Sequence, residues 1–160
     1  MPSEPLAYHV TFGTHGAHLH GDPRGSVDRE HNQLGEPILG EDLPRRRREA
    51  VRMATARVVL SPQQRAFIEV IVPVICERRQ WTCHIVAAGA EHVHALVSAP
   101  GGGAVVRRLL KRWLSQELDR RWSGCPAEWW GDGGSVKWVW DRDYFRRAFD
   151  YIAQQRTTRD

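Results

Sequence analysis

Lysine, cysteine and long apolar runs are all scarce in this 160-residue chain. Lys111 and Lys137 are the only lysines among 23 basic residues, so the net charge of +4 rests mainly on arginine. Arginine is suited to bidentate phosphate contact and to stacking on bases, which makes nucleic acid a reasonable partner.

Three cysteines without a CxxC spacing predict neither a disulfide framework nor a zinc ribbon, and they fit a reducing cytoplasm. No apolar run is long enough to span a bilayer and the N-terminus lacks a signal peptide, so we expect neither a membrane protein nor a secreted one.

The chain has the length and the 41% hydrophobic content of one globular domain, which we place over residues 1–160. Periodicity predicts a strand from residue 7, a helix after Ser61, strands over 81–88 and 92–99, a helix over 104–122, a strand over 136–140 and a helix over 144–155. This order predicts an α+β, ferredoxin-like βαββαβ fold: an antiparallel sheet with helices on one face and an added C-terminal helix. A polar segment at about 21–50 is expected to be an insertion.

The helix after Ser61 carries a clear start signal. Ser61 can cap it, Pro62 suits the first helical position, and Gln64 stands where a capping box needs its amide. Pro73 is expected to kink or shorten this helix, because proline lacks a backbone N–H and its ring clashes with the preceding turn.

The most informative motif is the pair His92 and His94, separated by Val93 in a run that is typical of a strand. Alternate side chains of a strand project to the same face, and two imidazoles side by side can form half of a metal site. A triplet this short arises often by chance, so the pair alone leaves a structural role open. Other histidines near the chain start are expected mostly in loops or at edges, although one of them could approach the site across the sheet: His9, His15, His18 and His20.

The last predicted helix presents a phenol and a carboxamide one turn apart, because Tyr151 and Gln155 are separated by four residues. The amide oxygen could complete a metal site begun by His92 and His94, and the phenol could attack a phosphorus atom held there. Tyr151 could equally be a half-buried aromatic side chain that packs a terminal helix.

The helix over 104–122 combines an apolar stripe with a strongly basic remainder. A solvated face of a core helix is as good an interpretation as a nucleic-acid contact. If the contact exists, each phosphate bound would steepen the salt dependence of binding. The candidates to line the path of a DNA strand are Arg107, Arg108, Lys111 and Arg112.

The histidine pair, the basic helix and the Tyr-Ile-x-x-Gln helix together resemble the single-tyrosine HUH transposases, of the insertion-sequence and REP-associated types. The segment over 8–14, Tyr-His-Val-Thr-Phe-Gly-Thr, is similar to the first strand of that family. The segment over 21–27 is similar to a loop of one bacterial subgroup. The resemblance covers nearly the whole chain in the order of its elements.

The resemblance implies a bacterial, cytoplasmic protein that binds single-stranded or hairpin DNA and uses a divalent ion, Mg²⁺ or Mn²⁺. It implies cleavage of one strand through a 5′-phosphotyrosine and rejoining by the reverse step. Tyr151 would be the nucleophile, with His92, His94 and Gln155 as metal ligands and Gln154 as the alternative to Gln155. A homodimer, in which the tyrosine helix acts on the partner's histidines, is left open.

Two departures from the family leave other functions open. Glu91 stands where the family commonly has asparagine, and only nine residues follow Tyr151. A domesticated relative that holds structured single strands without cutting them is the main alternative. A hydrolase that uses the histidine pair to activate water is the weaker one.

Overall fold

The structure, a computed structural model, describes residues 4–17 and 57–157. In these residues the chain forms β1 (Ala7–Gly13), α1 (Pro62–Arg78), β2 (Thr82–Ala88), β3 (His92–Ser98), α2 (Gly103–Arg121), β4 (Ser135–Val139) and α3 (Arg142–Thr157). Every predicted element in this part of the chain is present, with small shifts at its ends. The segment predicted as an insertion at about 21–50 lies outside the described residues. No helix in the described ranges is both long and apolar enough to cross a bilayer.

The four strands form one antiparallel sheet in the order β2-β3-β1-β4. β1 is central, and its residues pair with both neighbours. Thr11 lies opposite His94 on β3, and His9 lies opposite Lys137 on β4. The fold is therefore α+β, with a four-stranded antiparallel sheet and three helices, and it is consistent with a ferredoxin-like arrangement.

The helices α1 and α2 cover one face of this sheet, and an apolar core lies between them and the strands. Alternation along β1 sends Tyr8, Val10 and Phe12 to this face. These side chains pack in one buried cluster with residues of both helices, which include Ile68, Val72, Leu110, Leu114 and Leu118.

The predicted start of α1 is confirmed by its capping box. Ser61 Oγ accepts a hydrogen bond from the Gln64 N–H at 3.1 Å, and Gln64 Oε1 accepts one from the Ser61 N–H at 2.9 Å. The helix continues through Pro73 to Arg78, so the proline does not shorten it, and the kink expected as the alternative stays a prediction. Buried side chains on both sides of the proline, Val72 and Ile75, pack into the core and offset the backbone hydrogen bond that proline cannot make.

The added helix α3 covers the opposite face. A smaller buried cluster holds it there, formed by strand residues such as Ala7, Leu96 and Val139 with Ala148 and Ile152 of the helix. The end of α3 is also attached to the sheet, because Arg156 Nε donates a hydrogen bond to Val86 O on β2 at 2.7 Å. The two faces of the sheet therefore have different covers, two helices on one and a single helix on the other.

Candidate functional site

Three ring side chains from three elements meet on the face covered by α3. His9 comes from β1, His94 from β3 and Tyr151 from α3. The ring centroids lie 5.8 Å apart for His9 and His94, 5.8 Å for His9 and Tyr151, and 5.6 Å for His94 and Tyr151. The two histidines are diagonal neighbours on the sheet, because Thr11 takes the place directly opposite His94. We refer to His9, His94 and Tyr151 as the ring cluster.

A cavity of about 540 Å³ lies beside the ring cluster. Its other lining residues include hydroxyl and basic side chains from β1, β4 and α3, among them Thr11, Ser135, Lys137 and Arg147. None of the described residues that line it carries a carboxylate. We refer to this space as the pocket, and its lining favours anions.

Two neighbouring residues of α3 differ in burial, and this difference leaves Tyr151 at the pocket. The neighbouring Ile152 is fully buried and packs the helix on the sheet, whereas Tyr151 keeps 47% of its surface exposed. The phenol is therefore accessible from solvent while its ring contacts two imidazoles. A half-buried ring on a helix is compatible with packing as well as with a nucleophile, so both interpretations of Tyr151 stay open on burial alone.

His94 is held in place by the neighbouring strand. Its Nδ1 lies 3.0 Å from Thr11 Oγ1, in a hydrogen bond that fixes the ring and leaves Nε2 for another ligand. Burial, with smaller contributions from His9 and His92, lowers the pKa of His94 to about 4. The imidazole is therefore neutral at neutral pH, which is the form that binds a metal ion.

His9 is the early histidine that approaches the site across the sheet, and it lies in the central strand β1 rather than in a loop or at an edge. Its side chain is buried, with 7% exposed, and its Nε2 has no hydrogen-bond partner in the described part of the chain. A buried polar atom left unpaired costs about 1–3 kcal/mol, so its presence requires an explanation. Burial, and then the charge of Lys137, lowers the pKa of His9.

The remaining predicted ligands lie further along the same elements. His92 shares its strand face with His94 and sits at the exposed start of β3, over the backbone of Gly13; a Cβ built on Gly13 would lie 3.6 Å from His92 Cδ2. Gln155 lies one turn beyond Tyr151 and is partly buried, whereas Gln154 is exposed.

The candidate ligands for a divalent ion are His92, His94 and Gln155. Residues 4–17 and 57–157 contain no group of three or more His, Cys, Asp or Glu side chains that could hold a metal ion. A site here would therefore need the two imidazoles of β3 together with the amide oxygen of Gln155. Imidazole and amide oxygen are suitable donors for a divalent cation, and Thr11 gives His94 the outer support that ligating histidines usually have. By donor chemistry these three side chains suit a divalent ion, and their role as its ligands stays a prediction.

Glu91 does not belong to the ring cluster. Its carboxylate accepts a hydrogen bond from Arg57 Nη2, and its backbone oxygen accepts one from the Thr14 N–H at 2.8 Å. Glu91 therefore pairs with an arginine at the turn before β3.

The basic residues predicted as DNA contacts lie on α2, across the sheet from the pocket. Lys111 Nζ donates hydrogen bonds to two carbonyls of the 131–134 loop, at 2.7 and 3.0 Å, and Arg107 Nη1 donates to a third at 3.3 Å. Arg108 and Arg112 are exposed. The structure does not bring these four side chains to the ring cluster, and it gives two of them a role in holding the loop that leads into β4.

A phenol, two imidazoles and two cations therefore surround one polar cavity within a single chain. An accessible phenol beside neutral imidazoles is a potential nucleophile, and the cations favour an anionic electrophile such as a phosphodiester. A scan against protein-family models and a search of curated proteins find no match to this chain.

Proposed function

We propose that this protein is a metal-dependent nickase and strand transferase for single-stranded or hairpin DNA, of the kind that DNA transposition uses. The observation that carries the proposal is the position of Tyr151, whose ring centroid lies 5.6 Å from that of His94 at the edge of the pocket. The ferredoxin-like form of the α+β fold, and the bacterial cytoplasm as its location, belong to the same proposal.

The chemistry begins with the phenol oxygen of Tyr151. It attacks a backbone phosphorus atom, so that a phosphorus–oxygen bond to tyrosine forms while the bond to the 3′ oxygen breaks. The products are a 5′-phosphotyrosine and a free 3′-hydroxyl, and the proton lost by the phenol reaches the departing 3′ oxygen through water at the exposed side of the pocket. Attack by a 3′-hydroxyl on the phosphotyrosine reverses the step, and no ATP is needed because the ester bond is conserved.

A phenol needs help to react at neutral pH, since its ordinary pKa is about 10. His92, His94 and Gln155 would hold a divalent ion, Mg²⁺ or Mn²⁺, with Gln154 as the alternative to Gln155. When bound, such an ion withdraws charge from a phosphate and stabilises a leaving oxygen. Thr11 orients the His94 ring for this role through the hydrogen bond to Nδ1.

The experiment that tests the proposal is covalent trapping. The protein is incubated with 3′-labelled hairpin DNA and Mn²⁺, and labelled protein is detected after denaturing electrophoresis. We expect an adduct that Tyr151→Phe abolishes. Tyr8→Phe is the matched control, because the Tyr8 hydroxyl donates to the Gly101 carbonyl on the opposite face of the sheet. Mapping the labelled peptide separates Tyr151 from Tyr144 on the same helix.

Three other results would contradict the proposal, each in its own way. An undiminished adduct in Tyr151→Phe would show that another residue is the nucleophile. Tight hairpin binding without any adduct would favour the non-cleaving DNA-binding protein. Cleaved DNA with free ends and no attached protein would favour a hydrolase.

A further inference from the structure

The pocket brings together two cations that come from different elements. Lys137, on the edge strand β4, is the cross-strand partner of His9, so both side chains belong to the face that α3 covers. Arg147 lies on α3, with its guanidinium carbon 5.5 Å from the centroid of the Tyr144 ring. Both side chains line the same cavity, and none of the described lining residues carries a balancing carboxylate. Two like charges that share a cavity favour an anion between them.

His9 lines the same cavity and carries a buried nitrogen that has no partner in the described part of the chain. His9 is 7% exposed, and its Nε2 makes no hydrogen bond within the described residues. Because Lys137 stands directly opposite His9, a cation at this nitrogen would be repelled, whereas an anionic oxygen would be attracted. A neutral imidazole with its proton on Nε2 can donate a hydrogen bond to such an oxygen.

We infer that the pocket is a phosphate-binding site in which Lys137, Arg147 and His9 Nε2 hold one backbone phosphate of the DNA strand. The identity of the anion as a DNA phosphate rests on the proposed function, whereas the preference for a phosphate group rests on the pocket itself. The strand then enters across the exposed edge strand β4 and passes the tyrosine on the α3 face. The basic surface of α2 lies on the other side of the sheet and is not its main path.

The first test uses inorganic phosphate, with sodium chloride at matched ionic strength as the reference. The ring nitrogens of the histidines are followed by ¹⁵N NMR in the full-length protein, with EDTA present. We expect phosphate to shift the His9 Nε2 signal, and Lys137→Gln and Arg147→Gln to remove most of that shift. Both substituted side chains are exposed, so these variants are expected to fold. A His9 signal that moves no more with phosphate than with chloride would overturn the inference.

The second test uses a fluorescent hairpin DNA, also in EDTA, with binding measured by anisotropy over a range of salt concentrations. Lys137→Gln and Arg147→Gln should each weaken binding about 5-fold and reduce the salt slope by about one. The matched control is Arg121→Gln, which removes the same charge from the exposed end of α2 and should change affinity less than about 2-fold. If Arg108→Gln and Arg112→Gln weaken binding while the two pocket variants do not, the strand follows α2 and the inference fails.

The two proposals can fail separately. A phosphate-dependent His9 signal with no covalent adduct would retain the phosphate site and reject strand cleavage. An adduct in the parent protein, formed equally well by Lys137→Gln and Arg147→Gln, would retain strand cleavage and reject the phosphate site.

Discussion

The two faces of the sheet are formed by the same strands but differ in what covers them. Under α1 and α2, Val10 and Phe12 belong to a closed apolar core and are almost completely buried. Under α3, the apolar cluster around Ile152 is smaller and ends beside the polar pocket. Because neighbouring residues of β1 point to opposite faces, these core residues alternate in sequence with His9 and Thr11.

This contrast shows how one strand can contribute to an apolar core on one face and to a candidate site on the other. The closed face satisfies the ordinary requirement for apolar packing. The other face carries a buried imidazole nitrogen that has no partner among residues 4–17 and 57–157, where a core selected for stability alone would have an apolar group. Departures from ordinary packing rules tend to occur at functional sites. Of the two such atoms in the described residues, Arg65 Nε belongs to α1, whereas His9 Nε2 belongs to the ring cluster beside Tyr151.

The largest effect on stability should follow from creating a cavity in the core under α1 and α2. Leu114 is fully buried on α2, so Leu114→Ala should lower the free energy of unfolding by about 3 kcal/mol through lost burial and a residual cavity. Urea unfolding followed by circular dichroism measures this change. Val105→Ala on the same helix is the control, because Val105 is 43% exposed and its truncation should change stability by about 0.5 kcal/mol or less. A Leu114→Ala loss as small as that of the control would show that the face under α1 and α2 is not a closed core.

Lowering the pH should reduce the free energy of unfolding through His94, on the face that α3 covers. Burial, His9 and His92 lower the pKa of His94 from its usual 6.5 to about 4. Between these values the unfolded chain binds more protons than the folded protein does, so the stability is complete above about pH 6.5 and is lost as the pH falls towards 4. Partial exposure of the ring limits the loss to about 1–2 kcal/mol.

The measurement is urea unfolding at pH 7 and at pH 4.5, with EDTA present to remove metal ions. His94→Gln should show a smaller difference between the two pH values than the parent protein shows. If the variant and the parent lose the same stability on acidification, other groups carry the pH dependence and His94 is not held in its neutral form.

Local signals were sufficient to predict most of the fold. The capping box at Ser61 and the alternation over His92–Ser98 involve residues close in sequence, so the pattern and the structure agree. The sequence left a kink and a shorter helix as alternatives at Pro73, because the choice between them depends on packing against the sheet. The face on which α3 docks also depends on tertiary contacts that no local pattern specifies.

The candidate site was predictable only where its residues share one element. His92 and His94 lie on one strand, and their roles as ligands remain predictions. His9 joins His94 only through the pairing of β1 with β3 and its register, which a period of two along either strand does not determine. The same reasoning applies to Lys137 and Arg147, which reach the pocket from β4 and α3.

The smallest expected effect concerns Lys111, a basic residue that the sequence suggested as a DNA contact. Its ammonium donates hydrogen bonds to the carbonyls of Gly131 and Gly133, and burial, followed by the charge of Arg107, lowers its pKa. Lys111→Met should therefore lower the free energy of unfolding by about 1 kcal/mol and leave hairpin affinity nearly unchanged, as measured by urea unfolding and by anisotropy. Arg108→Met, at an exposed position on the same helix, should change stability by less than about 0.5 kcal/mol. The opposite outcome, in which Lys111→Met weakens DNA binding but not the fold, would place the DNA on the α2 side and remove the functional difference between the two faces.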